Sequence, residues 1–218
     1  MQTGVQYYRP PNPEPEVWNR DLRQIRKSGF SIIRCWMPWR CVEPRRPEAW
    51  EFGAYDRLLD LAARHELKML VQLVPESAPD WALRGHPDKF HVGADGKPIL
   101  PYHHPMLQVG GWPGLNFDWP ETCILFDRFF EAAVDRYRKH PALLGWDVWN
   151  ELQMGYAPSP ADPATARVFR AYLKQTYRSI GRFNRVYGTE YADFGDARLR
   201  PRGQQLSRDA VEYFHFSV

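Results

Sequence analysis

Apolar and polar positions along the chain follow two alternating periods, one typical of buried strands and one typical of amphipathic helices. Short apolar runs predict four strands, at residues 4–8, 30–36, 68–74 and 142–151. Apolar residues spaced three and four apart predict the intervening helices, at residues 16–27, 55–65 and 126–140. Strands that alternate with helices in this way predict a parallel sheet with right-handed crossovers.

The connections add two further expectations. The segment from Pro75 to about Glu121 contains many Gly, Pro and His residues, and a loop of this length inside a compact domain is usually functional. After the fourth strand, Asp162 precedes a proline at a predicted helix start, and Ser179 precedes a second helix that Gly188 ends. The tail is predicted to be a loop with a short helix at 207–216.

The elements predict an α/β fold of the (β/α)8 barrel type in one domain, residues 1–218, with only the first four to five βα units present. A whole barrel needs roughly 250 residues, so the chain looks like the first half of one. A half-barrel leaves an unpaired sheet edge, which favours poor solubility or a homo-oligomer.

Composition narrows the class of partner. The chain has 9 Trp, 11 Tyr, 12 Phe and 20 Pro, and such aromatics suit either a core or a cleft that stacks on sugar rings. The net charge of +3 is scattered without a basic stripe, which argues against nucleic acid. We find neither a membrane-length apolar run nor a signal peptide, and the three cysteines form no even set. We therefore predict a cytoplasmic protein.

The end of the fourth predicted strand, residues 145–151, is the first candidate for chemistry, because barrel enzymes act at the carboxyl ends of their strands. Glu151 would lie there near Trp149 and Tyr156, and partial desolvation would raise its pKa and suit it to general acid work. Asn150 offers a donor and an acceptor to a substrate hydroxyl. A surface ion pair between Glu151 and an arginine is the alternative.

Two charged residues within apolar strands need partners. Arg34 is expected to pair with a carboxylate, since an unpaired cation in such a strand is expensive. A structural ion pair and a role in orienting catalytic groups both suit it. Asp147 has the strand parity of Glu151, which makes it either a second polar group of the mouth or a satisfied residue of the barrel interior.

Further candidates lie at or after strand ends. Trp36, Trp112 and Trp119 suit either the core or ligand contact. Four histidines fall in the long loop, at His86, His91, His103 and His104. They lack the helical i, i+4 spacing of a metal site and have no nearby cysteine pair, so we expect a loop over a substrate cleft, no metal and no cofactor.

Several segments together carry a family resemblance. They are residues 4–8, 16–22, 29–34, 42–44, 78–81, 140–151, 169–177 and 183–189. In this order they resemble the N-terminal part of the glycoside hydrolase family 42 β-galactosidases, retaining barrel enzymes with Asn-Glu at the end of strand four. The resemblance implies a hydrolase of terminal β-galactosides or similar sugars.

The resemblance also implies roles. Glu151 would be the acid/base, Asn150 would bind the sugar 2-hydroxyl, and Arg34 would support the catalytic centre. The aromatics that we expect to bind substrate are chosen instead by their positions at or after strand ends, and they are Trp36, Trp149, Trp112, Trp119 and Tyr156. The nucleophile of such enzymes is a glutamate on strand seven, which we expect beyond Val218, so the isolated chain is expected to be inactive.

Two departures keep alternatives open. Many members bind zinc through cysteines, but here residues 116–120 and 157–160 stand in those places without cysteine, so no zinc is expected. Trp149 occupies a position that is more often small or acidic in the family, which weakens the case for galactose. Another activity (β-mannanase, β-glucosidase or arabinopyranosidase) and a non-catalytic carbohydrate-binding remnant are the alternatives.

Overall fold

The structure, a computed structural model, describes residues 2–93, 95–103, 109–148 and 162–197. Four parallel strands form one sheet in which the spatial order repeats the chain order. They are β1 (Gly4–Tyr8), β2 (Ile32–Pro38), β3 (Lys68–Val74) and β4 (Leu143–Asp147). The α/β class and the strand–helix alternation are therefore confirmed for this part of the chain.

The helices follow the predicted order, but the helix predicted at 126–140 begins six residues earlier, at Pro120, and ends at Tyr137. They are α1 (Trp18–Lys27), α2 (Trp39–Val42), α3 (Gly53–Arg64), α4 (Asp80–Gly85), α5 (Pro120–Tyr137), α6 (Pro163–Tyr177) and α7 (Ile180–Tyr187), with a 3-10 turn at Pro87–Lys89. Sequence reading missed α2, because four residues are too few to show a helical period. The helix predicted at 207–216 lies outside the described residues. No described helix is long and apolar enough to cross a bilayer.

The chain divides into two compact units. The first holds the sheet, α1 to α4 and nearly all of α5. Alternate residues of β2 and β3 are buried on its helix-covered face, namely Ile33, Cys35, Met37, Met69, Val71 and Leu73. Tyr8 packs edge-on against Trp18 of α1 at 4.9 Å, and the Tyr55 hydroxyl of α3 donates to the Trp36 carbonyl at 3.0 Å. These contacts fix the helices over one face and leave the other face for polar side chains.

The second unit contains residues 90–100 and 116–120 together with α6 and α7. Its core is built by Phe169, Leu173, Phe183 and Ala197. Both predicted helix starts are confirmed: Asp162 accepts hydrogen bonds from the first turn of α6, and Ser179 accepts one from the Arg182 amide of α7. Gly188, at a φ of 61°, ends α7 in the left-handed conformation that glycine tolerates best.

Candidate active site

A polar line crosses the open face of the sheet in the first unit, with Arg34 at its centre. The Arg34 guanidinium donates to Asp147 Oδ2 from Nε at 3.0 Å and from Nη2 at 2.6 Å. Its Nη2 also donates to Gln72 Oε1 at 2.6 Å, and its Nη1 donates to Gln6 Oε1 at 3.1 Å. One side chain of β2 therefore joins residues from all four strands.

The polar line shows which partner Arg34 has and where Asp147 lies. Arg34 does pair with a carboxylate, and its partner is Asp147, the last residue of β4. Asp147 is a satisfied polar residue of the sheet's inner face, which is one of its two expected roles. The pair fixes the position at which β4 ends.

The predicted catalytic residues follow shortly after that strand end. Asn150 and Glu151 lie outside the described residues, as do the predicted sugar-binding residues Trp149 and Tyr156. Their roles remain predictions from the sequence.

An aromatic patch lies beside the polar line and is defined by Trp36, Val74 and Trp112, which pack together. Trp36 follows Arg34 by two positions in β2 and therefore shares its face of the sheet. Only 2% of Trp36 is exposed, and the Arg9 guanidinium carbon lies 3.9 Å from the centre of its ring. The structure thus brings two of the predicted sugar-binding tryptophans together. Trp119 belongs to the second unit.

The long loop after β3 carries Trp112 and is tied back to the end of that strand. Ser77 Oγ donates to the Gly110 carbonyl at 2.7 Å. Tyr102 and Trp112 exchange backbone hydrogen bonds of 2.7 and 3.2 Å, and their rings meet edge-on at 5.3 Å. The position of Trp112 is therefore set by hydrogen bonds on both sides of its loop.

Two glycines allow that loop to pack closely against the backbone of the segment that follows β3. Gly111 has a φ of 82°, and a Cβ there would lie 2.3 Å from the Ala78 carbonyl oxygen. Gly114 has a φ of 76°, and a Cβ there would lie 2.7 Å from the Glu76 carbonyl oxygen. Neither a left-handed backbone nor this spacing suits a larger residue.

Glu43 is a buried carboxylate whose hydrogen bonds serve the fold. It accepts from Trp39 Nε1 at 2.7 Å and from the Glu48 amide, and Arg128 Nη2 lies 3.0 Å from each of its oxygens. Its side chain has no exposed surface. Glu43 therefore joins α2 to α5, and we assign it no catalytic role.

Glu76 differs from Glu43 in having no cation beside it. It follows β3 by two residues, and burial raises the pKa of its carboxyl group to about 7. Its Oε2 is buried and has no hydrogen-bond partner among the described residues. From the sequence alone we assign neither Glu76 nor Glu43 as the nucleophile, and the only signal at Glu76 is a carboxylate directly after an apolar strand and a proline.

The second unit contains a separate cluster of hydrogen bonds. It includes residues of the segment 116–120, where many members of the family have zinc-binding cysteines. Asp162 Oδ2 accepts from Asn116 Nδ2 at 2.7 Å and from the Val92 amide at 3.1 Å. Thr165 Oγ1 donates to Asp118 Oδ2 at 2.5 Å. An amide and a carboxylate already used in this way do not suit a structural zinc site, which takes thiolates and imidazoles. Residues 157–160 lie outside the described part.

The buried histidine of this unit belongs to the same surroundings. His91 packs edge-on against Phe117 at 6.1 Å, and burial lowers the pKa of its imidazole to about 4. Within the described ranges, no three His, Cys, Asp or Glu residues are grouped so that they could hold a metal ion.

A parallel sheet in chain order, with helices on one face and polar side chains on the other, is typical of part of an α/β-barrel protein. The sequence model of the glycoside hydrolase family 42 described as "Beta-galactosidase" matches residues 7–206. The chain belongs to that family.

Its relatives are much longer. The chain is 24% identical over 185 residues to the β-galactosidase LacZ of Heyndrickxia coagulans, a match that covers 84% of this chain and 26% of that protein. It is 25% identical over 200 residues to the β-galactosidase BgaH of Haloferax lucentense, covering 89% of this chain and 29% of that protein. The chain thus spans about a quarter of the length of the curated relatives it matches.

A solved structure has the same fold. The β-galactosidase of the Antarctic haloarchaeon Halorubrum lacusprofundi superposes with a TM-score of 0.77 at 20% identity, over 100% of this chain and 32% of that one. The (β/α)8 barrel type of the sequence-based fold prediction is therefore confirmed, with the four strands forming part of such a barrel.

Proposed function

We propose that these residues form the first half of the catalytic barrel of a retaining β-galactosidase, with Glu151 as its acid/base. The observation that carries the proposal is the pair of Arg34 and Asp147, which fixes the end of β4 just before Asn150 and Glu151 in the chain. Family membership over residues 7–206 supports the same assignment.

In the proposed mechanism Glu151 protonates the glycosidic oxygen and later removes a proton from the attacking water. Asn150 donates to the sugar 2-hydroxyl and strengthens that bond in the transition state. Trp112, which is partly exposed, contacts the apolar face of a pyranose ring, and the buried Trp36 packs behind it. Arg34 acts indirectly, by holding the strand end from which Asn150 and Glu151 follow.

A retaining mechanism needs a second carboxylate about 5–5.5 Å from the first, which attacks the anomeric carbon. We assign no residue of the 218 to that role. Glu43 is committed to Trp39 and Arg128, and we place the nucleophile beyond Val218. The chain alone is therefore proposed to bind sugar without hydrolysing a galactoside.

The test uses a ligand that reports the Glu151 carboxylate without needing turnover. The purified chain is titrated with galactose and with 1-deoxygalactonojirimycin, a basic galactose mimic, while tryptophan fluorescence is recorded. The mimic is expected to bind at least about tenfold more tightly, because its ammonium group pairs with a carboxylate. Glu151→Gln should remove that advantage, and Glu131→Gln on the exposed surface of α5 should not.

Each alternative has its own outcome. Equal binding of the mimic by Glu151→Gln and the unaltered chain would favour a carbohydrate-binding role without catalysis. Tighter binding of the gluco-configured 1-deoxynojirimycin would point to a different glycosidase of the same clan. Hydrolysis of a nitrophenyl galactoside by the purified chain would contradict the placement of the nucleophile beyond Val218.

A further inference from the structure

Several buried polar atoms without partners belong to residues near the carboxyl ends of β2 and β3. Within the described residues the buried side-chain atoms that lack a hydrogen-bond partner are Arg9 Nε, Trp36 Nε1, Gln72 Nε2, Glu76 Oε2, Thr122 Oγ1 and Arg128 Nε. Three of these residues lie near the carboxyl ends of two strands: Trp36 in β2, Gln72 in β3 and Glu76 two residues after β3. Arg9 stacks on Trp36. Buried polar groups are normally hydrogen-bonded, so a group of unpaired ones calls for an explanation.

The unpaired donors are neighbours in the sheet. Trp36 and Gln72 are direct register partners of β2 and β3, and both are at most 2% exposed. Gln72 Oε1 accepts from Arg34, which leaves its Nε2 as the group still to be satisfied. The polar line and the aromatic patch therefore meet at Gln72.

Glu76 contributes an unpaired acceptor and lies near the aromatic patch along the chain. It follows Val74, a member of the aromatic patch, by two residues, and its backbone contacts the loop that carries Trp112. That loop segment, residues 109–115, contains no ionisable side chain. Of the charged residues in the neighbouring segments, Arg40 pairs with Asp80, and Arg9 stacks on Trp36 while its Nε has no hydrogen-bond partner among the described residues.

We propose that Glu76 is a further substrate-binding residue, whose carboxylate accepts a hydrogen bond from a hydroxyl of the sugar that contacts Trp112. Trp36 Nε1 and Gln72 Nε2 are the adjoining donors to sugar oxygens. The inference rests on the proposed function, since it assigns a specificity residue within the same site.

The chemistry suits a hydroxyl better than a cation or an anion. A sugar hydroxyl both donates and accepts, so it satisfies a lone carboxylate and lone N–H donors together. The site offers both kinds of group: the Glu76 carboxylate is the acceptor, and Trp36 Nε1 and Gln72 Nε2 are the donors. Because burial raises the pKa of Glu76 to about 7, its carboxyl group changes charge near neutral pH. The hydrogen bond to the sugar is stronger in the ionised form.

The experiment measures galactose affinity by tryptophan fluorescence between about pH 6 and pH 8. The unaltered chain is expected to bind several-fold more tightly as the pH rises through 7, and this rise should persist in Glu151→Gln. Glu76→Gln should abolish the rise, and Glu76→Ala should weaken binding about tenfold or more at the upper pH. Glu66→Gln, at the exposed opposite end of β3, is the matched control and should behave as the unaltered chain.

Monodeoxy sugars identify the hydroxyl and separate contact from structural damage. One of 2-, 3-, 4- or 6-deoxygalactose should bind the unaltered chain more weakly than galactose does, yet bind Glu76→Ala as well as galactose does. If Glu76→Gln keeps both the affinity and the pH profile of the unaltered chain, the inference is wrong and the proposed function stands. If the unaltered chain binds neither galactose nor 1-deoxygalactonojirimycin, both are overturned.

Discussion

Arg34 and Asp147 lie 113 residues apart in the sequence and are joined by two hydrogen bonds to one carboxylate oxygen, at 3.0 and 2.6 Å. The bonds reach from β2 to β4 past the intervening strand, whose Gln72 accepts from the same guanidinium. The end of the last strand is thus positioned by a side chain from the second.

Asp147→Asn should lower the free energy of unfolding by about 1–3 kcal/mol, because it leaves a partly buried guanidinium without its counterion. Urea unfolding of Asp147→Asn, Arg34→Met and the double variant gives the coupling energy. We expect the free energy of unfolding to fall clearly less in the double variant than the sum of the decreases in the two single variants. Additive losses would mean that the pair contributes nothing as a pair.

Glu43→Gln should be the more damaging change, at about 3–5 kcal/mol, since the carboxylate is fully buried and neutralises Arg128. Glu51→Gln is the control: its ion pair with Arg45 is exposed, and its loss should change stability by less than about 1 kcal/mol. Thermal and urea unfolding provide the comparison. Similar losses in the two variants would contradict the role assigned to Glu43.

Gly111→Ala should displace the loop that carries Trp112. The new Cβ would meet the Ala78 carbonyl oxygen at 2.3 Å in a backbone conformation that L residues avoid, at a cost of about 1–3 kcal/mol. The fluorescence response to galactose should fall with it. Gly181→Ala in α7 has free space for its methyl group and should be neutral or stabilising by up to about 1 kcal/mol.

Glu76 should make the fold less stable as the pH rises. Its pKa is about 7 in the folded chain against an ordinary value of 4.5, so the folded chain holds this proton more tightly. Stability from this group is complete below about pH 4.5 and is lost by about pH 7. Glu76→Gln should therefore match the unaltered chain at about pH 4.5 and exceed it by up to about 3 kcal/mol at about pH 8.

The measurement is urea unfolding of both chains across that pH range. Glu66→Gln, at the other end of β3, should show no such divergence from the unaltered chain. A stability difference between Glu76→Gln and the unaltered chain that stays constant with pH would contradict the raised pKa.

Local patterns were enough to predict much of the fold. β1 and β3 have the bounds that their apolar runs predicted, and the caps at Asp162 and Ser179 are set by side chains next to the helices they start. The energetic cost of a bare cation was enough to predict that Arg34 would be paired. Each of these depends on residues close in sequence or on a rule for a single side chain.

The rest depends on partners distant in sequence. Nothing around Gln72 indicates that it would bond an arginine from another strand, and Glu43, between a valine and a proline, looks like an ordinary loop residue. Its burial follows from Arg128, 85 positions further along the chain. Glu76 became a candidate only when its lack of a neighbouring cation could be seen.

The order of the strands has a consequence for how the protein is made. Since β2, β3 and β4 each pair with the strand synthesised just before them, this part of the sheet can grow in one direction as the chain leaves the ribosome. Each new strand can pair with a sheet edge that is already present, without waiting for a later strand. The link from Arg34 to Asp147 can form only after β4 has been synthesised, so the polar line across the four strands is completed later than the pairing of β1, β2 and β3 allows the sheet to begin.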